Sequence, residues 1–287
     1  MSVAGKVVAI TGAARGMGRA YVEGFLDQGA KVVALDRSWV PTGMSGDRND
    51  EFARSLQNRD DAITLTCDIT DDEQIEDAYE QTIKKFGRVD ILLNNASLRQ
   101  IDLFKPTGVA TIMETNHEDF LKMFDVSFFG TLKITRVFLQ DMLGRGSGHI
   151  ITVGSNGGAT KEDPDGTSTT LRSPRFEQPY QSAKSALSCL MGYLAYELEP
   201  KGIAVNVIYP ASAHTTGYEE RAVARAEQQG KSAAEAHIHG GARPEHVVPL
   251  ALWLADQEGA SLTGHFYETL KWNAANGHGD AAFWADK

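Results

Sequence analysis

Six short runs of apolar, largely β-branched residues recur along the chain: KVVAI at 6–10, KVVAL at 31–35, AITLT at 62–66, VDILLN at 89–94, HIITVG at 149–154 and IAVNVIY at 203–209. Several lack the alternation of a half-exposed strand, the pattern of parallel strands covered on both faces. Between them lie longer stretches of helical periodicity, beginning near Gly16, Asp47, Asp72, His117, Gln178 and Pro244. In the fourth, Leu121, Phe124, Phe128, Leu132, Leu139 and Met142 recur at helical spacing and predict a buried stripe. This alternation predicts an α/β fold: one domain over residues 1–287, a doubly wound parallel sheet flanked by helices. No internal repeat or low-complexity segment interrupts it.

Three long connections break the rhythm, near residues 97–115, 159–179 and 212–241, the last two of them polar. Each follows the C-terminal end of a strand, where open α/β sheets bind their ligands, and long connections in compact domains are usually functional. Phe104, Phe176 and Tyr218 fall in these stretches, as pocket lining or as anchors that pack the loops onto the body.

Composition narrows the function. Acidic residues outnumber basic ones 38 to 28, a net charge of -10 that repels phosphate backbones, so nucleic acid is not the expected partner. Cys67 and Cys189 make no disulfide framework and fit a reducing compartment. No apolar run approaches the roughly eighteen residues of a membrane span, so a cytoplasmic protein acting on a small molecule is expected. His237 and His239 lack further ligands at fitting spacing, and no metal site is expected.

Two stretches carry candidate chemistry. In TGAARGMGRA, after the first apolar run, Gly12, Gly16 and Gly18 allow a sharp turn that brings backbone N–H groups to a pyrophosphate at a helix N-terminus. The second run ends at Asp36, where a carboxylate can accept hydrogen bonds from an adenosine ribose diol. A 2′-phosphate would meet like charge there, which favours NAD over NADP, although Arg15 and Arg37 offer the opposite sign. In PYQSAKSAL, Tyr180 and Lys184 stand four residues apart on a predicted helix and so share a face. A free phenol ionises near pH 10, and a neighbouring ammonium favours the phenolate, so the pair suits proton transfer.

Taken in order, TGAARGMG, CDIT, NNAS, Ser155, YQSAK and NVIYPASAHT resemble the motifs of the short-chain dehydrogenase/reductase family over roughly residues 3–268. The resemblance implies a Rossmann-type seven-stranded parallel sheet, a homodimer or homotetramer, and an NAD-dependent oxidoreductase interconverting a secondary alcohol and a ketone. It implies that Arg15, Met17 and Arg37 join the glycines and Asp36 around the cofactor, and that Asp68 and Ile69 lie at the adenine. Asn94, Asn95 and Ala96 would line the adenosine half; Lys184 would hold the nicotinamide ribose; Pro210, Ala213 and Thr215 would lie toward the carboxamide. Ser155 would hydrogen-bond the substrate oxygen and Tyr180 would exchange its proton as hydride leaves the alcohol carbon.

The chain departs from that pattern at several points. Ser97 replaces the glycine of the fourth motif, and Ala211 replaces the glycine after Pro210. Ser127 stands where the family places a catalytic asparagine that helps hold a relay water, so Ser127 is a candidate for that role. The interval from Ser155 to Tyr180 is about a dozen residues longer than is usual, and its charges nearly balance; the insert is expected to wall the substrate pocket or to form an oligomer contact. Two other readings fit the same residues: a dinucleotide-binding or scaffolding protein without turnover, and epimerisation or elimination through a transient ketone.

Overall fold

The computed structural model describes the chain except residues 1, 41–48, 106, 157–159, 163–168, 172–175, 214–221, 225, 228–229, 233–240 and 287. Its principal elements are β1 (Val7–Thr11), α1 (Gly16–Asp27), β2 (Lys31–Asp36), α2 (Asn49–Gln57), β3 (Ala62–Thr66), α3 (Asp72–Phe86), β4 (Ile91–Asn94) and a short α4 (Gln100–Leu103). There follow α5 (His117–Phe124), a π-helical turn (Asp125–Gly130), α6 (Thr131–Arg145), β5 (Gly148–Val153), β6 (Thr160–Glu162), β7 (Thr169–Leu171) and α7 (Tyr180–Leu198). The chain continues through β8 (Ile203–Tyr209), α8 (Val248–Asp256), β9 (Phe266–Glu268), α9 (Thr269–Ala275) and α10 (Ala281–Trp284).

Seven strands form one parallel sheet in the order β3-β2-β1-β4-β5-β8-β9. β1 pairs with both β2 and β4, and the connections run away from it in opposite directions. That reversal opens a crevice beyond the C-terminal ends of β1 and β4. All six apolar runs of the sequence become strands of this sheet. Within the long interval before Tyr180, β6 and β7 pair as a separate antiparallel hairpin.

The lack of alternation in the strands has a direct cause: both faces are covered. On one face Val8, Ile10 and Val32 pack with Val22 and Phe25 of α1 and with Leu250 and Leu254 of α8. On the other, Ala9, Val33 and Leu92 pack with Ile75 of α3, Ile134 and Phe138 of α6, and Leu187 and Met191 of α7. Large side chains of this kind each contribute about 1.5–3 kcal/mol on leaving water. α7 is thereby anchored by its middle, which leaves its first turn at the mouth of the crevice.

The stripe expected on the fourth helix is displaced. Met142 alone of its six residues is fully buried, and Leu121 is 54% exposed. The buried positions are instead Met123, Ser127, Thr131, Ile134, Thr135, Phe138 and Met142. The π-helical turn at Asp125–Gly130 changes the phase of the helix, so a strict 3.6-residue reading does not find that face. The expected helix start at Asp47 lies outside the described residues. No helix among the described residues is long and apolar enough to cross a membrane.

Candidate active site

The crevice is a cleft of about 270 Å³. Its floor is the turn between β1 and α1. Gly12 adopts φ +65°, and a methyl group at Gly18 would lie 1.8 Å from the Gly12 carbonyl oxygen, so only hydrogen fits there. Asn95 ties this turn to the end of β4: its Nδ2 donates to Thr11 O at 2.9 Å and to Gly12 O at 3.1 Å, and its backbone N donates to Thr11 Oγ1 at 2.9 Å. Helix α1 has no side-chain cap bond from Arg15 and no acidic residue in its first turn. Its leading N–H groups and the positive end of its dipole therefore suit an anion.

Asp36 closes one end of the cleft. Its carboxylate accepts from Ala14 N at 3.0 Å and Ser38 N at 3.1 Å, which fixes its orientation and leaves lone pairs for further donors. Burial pushes its pKa above the ordinary value, while those two N–H bonds and the charges of Arg15 and Arg37 act the other way. Beside it, Asp68 accepts from Thr70 N at 2.9 Å and Thr70 Oγ1 at 2.8 Å, and Ile69 completes that wall.

Tyr180 and Lys184 face the other end from consecutive turns of α7. Lys184 is 2% exposed, and its Nζ donates to the carbonyl of Val153, the last residue of β5, at 2.8 Å. Desolvation pulls its pKa down to about 8. Gly154 lines the cleft next to Val153, and the half-buried Ser155 follows it. The sheet thus brings the Ser155 segment and the Lys184 amine to one strand end, with Tyr180 on the same helix.

Of the sequence candidates, Gly12, Arg15, Gly16, Met17, Gly18, Asp36, Arg37, Asp68, Ile69, Asn95, Ala96, Tyr180, Lys184 and Pro210 line the cleft. Asn94 differs from expectation. It is 3% exposed, and its Nδ2 donates to Thr135 Oγ1 at 3.0 Å and Thr152 Oγ1 at 3.4 Å, inside the core. As the last residue of β4 it points to the opposite side from Asn95. Ala213 pairs with Ala242 in a parallel bridge and is not among the described residues that line the cleft, and Thr215, Tyr218, His237 and His239 lie outside the described residues.

Ser127 is wholly buried and below the cleft lining. Its hydroxyl lies 2.9 Å from Ser97 Oγ, accepts from Leu98 N at 3.1 Å and lies 3.5 Å from Met123 Sδ. The two serines that depart from the family pattern therefore touch each other. Leu98, Arg99, Asp102, Val126 and Cys67, to which the sequence assigns no site role, also line the cleft. Arg99 and Asp102 form an ion pair at 2.6 Å; burial raises the Asp102 carboxyl, but the Arg99 guanidinium outweighs it and holds the pKa below the usual range. Only their place in a long connection after a strand end pointed to them. The Cys67 thiol is pushed up to about 12 by burial and is no nucleophile. Among the described residues no group of three or more His, Cys, Asp or Glu could hold a metal ion.

A model of the family described as short chain dehydrogenase matches residues 6–226. The chain is 39% identical over 284 residues to fluoren-9-ol dehydrogenase of Terrabacter sp., an alignment covering 99% of this chain and 76% of that one. Among solved structures it resembles L-sorbose reductase from Gluconobacter frateurii complexed with NADPH and L-sorbose, with TM-score 0.74, 26% identity and coverage of 93% and 96%. It also shares its fold with 3-ketoacyl-(acyl-carrier-protein) reductase from Brucella melitensis complexed with NADH, with TM-score 0.70, 23% identity and coverage of 93% and 97%.

With the Lys184 pKa lowered from 10.5 to about 8, the native state holds fewer protons than the unfolded chain between those values. Stability relative to a Lys184→Met variant should therefore be flat below pH 8 and rise toward pH 10.5 in denaturant titrations; a falling difference contradicts it. For the serine pair, Ser97→Ala and Ser127→Ala should each cost about 1 kcal/mol, and the double variant should cost at least about 0.5 kcal/mol less than their sum. Strict additivity would show that the hydroxyls do not interact.

Proposed function

Because the chain belongs to the short chain dehydrogenase family, we propose that it is an NAD-dependent oxidoreductase interconverting a secondary alcohol and a ketone, with Tyr180 as the proton-transfer group. The observation that carries this reading is the cleft itself. Tyr180 and Lys184 open into the same space as the Gly12–Gly18 turn and Asp36.

The residues fit a dinucleotide. Gly12 and Gly18 leave room for close approach, the N-terminus of α1 would hold the pyrophosphate, and Asp36 would accept from the adenosine ribose. When bound, the nicotinamide group supplies the redox chemistry by taking or giving the hydride. The protein supplies charge and placement. With a pKa of about 8, the buried Lys184 amine is mostly protonated at neutral pH and favours the Tyr180 phenolate. In oxidation Tyr180 takes the hydroxyl proton; in reduction it returns that proton to the carbonyl oxygen. Ser155 donates a hydrogen bond to the same oxygen, where negative charge develops.

The name of the 39%-identical relative points to a substrate class. Fluoren-9-ol is a secondary alcohol on a flat aromatic frame, and Leu98, Val126 and Val153 give the cleft apolar wall. Such alcohols are the substrates we assign. The exposed side chains of Leu121, Phe129, Tyr193 and Tyr196 support association into a dimer or tetramer.

Purified protein assayed on fluoren-9-ol and a panel of secondary alcohols should form NADH, and Tyr180→Phe should lower kcat by about 10²–10⁴-fold. NAD binding without turnover across the panel would favour a binding protein. Product formation without net NADH would favour epimerisation or elimination. Asp36→Asn should lower the ratio of kcat/KM for NAD to that for NADP by about ten-fold or more, since it removes the negative charge that a 2′-phosphate would meet and leaves the positive charges of Arg15 and Arg37 nearby. An unchanged ratio would remove Asp36 from cofactor selection.

A further inference from the structure

The first turn of α7 depends on a side chain from a distant segment. Pro179 precedes Tyr180 as the helix cap and provides no side-chain cap bond. The Tyr180 backbone N–H, one of the donors a helix start leaves without an internal partner, goes instead to Gln100 Oε1 at 3.2 Å. The other end of the same carboxamide, Nε2, donates to the carbonyl of Gln178. Gln100 is 5% exposed. A side-chain amide carries a donor and an acceptor in one fixed plane, so it closes both contacts at once.

We infer that Gln100 is a positioning residue for Tyr180: it sets where the phenol stands relative to Lys184, and it does so from the connection that walls the cleft. The inference rests on the proton-transfer role assigned to Tyr180 above.

Two features make the effect local to the phenol. Lys184 is held separately, one turn deeper, by the Val153 carbonyl at 2.8 Å, so loss of Gln100 shifts Tyr180 and leaves the amine in place. The Gln100 segment is itself anchored, which gives the amide something rigid to pull against. Leu98 N donates to Ser127 Oγ at 3.1 Å before it, and Ala110 N donates to Phe176 O at 3.2 Å after it. The second of these contacts also holds the segment leading into Tyr180, where Ala110 and Glu177 form a parallel bridge. Backbone contacts thus join the connection after β4 to the lead-in to α7, and Gln100 is the side chain that carries this junction to Tyr180.

The test compares Gln100→Met, which keeps the volume and removes both hydrogen bonds, in two backgrounds. In the otherwise native enzyme kcat should fall about 10–100-fold, the scale of a misplacement near 1 Å, while the KM for NAD changes less than about three-fold. In a Tyr180→Phe background the same substitution should leave the residual rate unchanged, because no phenol remains to be placed. Amide hydrogen exchange should quicken at Tyr180 and stay constant in the middle of α7. Equal fold-losses in both backgrounds, an unchanged kcat in the first, or unaltered exchange at Tyr180 overturns the inference. If Gln100→Met does not fold, Gln100→Ala serves in its place, since it also removes the acceptor for Tyr180 and the donor to Gln178 and adds no apolar bulk. A native protein without turnover on any alcohol refutes the functional reading instead, and the exchange measurement then still decides whether Gln100 holds the turn.

Discussion

A lysine ammonium buried at 2% exposure is the constraint around which the C-terminal edge of this sheet is arranged. Desolvation lowers its pKa from 10.5 to about 8, so the amine stays mostly charged at neutral pH, and the Val153 carbonyl accepts from it at 2.8 Å. That carbonyl is available because β5 ends there and β4 and β8 flank it on either side. The amine reaches it because Leu187 and Met191 seat α7 on the sheet one and two turns further on. Tyr180, one turn earlier, falls at the cleft rim as a consequence. The packing of one helix thus decides how Tyr180 and Lys184 are placed.

The cleft walls are braced by backbone contacts from polar side chains, and each brace joins segments far apart in sequence. Asn95 bonds the glycine turn, Ser127 bonds the Ser97–Leu98 backbone, and Gln100 bonds the start of α7. In this light the two serines read as a matched pair. Ser97 places a hydroxyl at a position the family leaves bare, and Ser127, shorter than an asparagine, finds that hydroxyl at 2.9 Å. A position tied in this way is structurally committed, whatever else its hydroxyl does.

Much of this was legible in the sequence because it is local. Unbroken apolar runs declared strands covered on both faces, the glycine spacing declared the turn, and the four-residue step from Tyr180 to Lys184 declared a shared helix face. Asn94 was misplaced because adjacent residues of a strand end point to opposite sides, and a motif read as a string does not register that. The helical stripe was displaced because the turn at Asp125–Gly130 adds a residue to the winding. Gln100 and the Arg99–Asp102 pair gave no local signal: their roles arise from contacts made only when the sheet brings separate strand ends together. The expectation at Thr215 lies outside the described residues.

A crystal structure of the protein soaked with NAD tests the central claim most directly. The account predicts dinucleotide density running from Asp36 across the Gly12–Gly18 turn to Tyr180 and Lys184, with the Lys184 amine still on Val153. Density elsewhere, or a cleft that closes to the dinucleotide with Tyr180 and Lys184 turned apart, would contradict it.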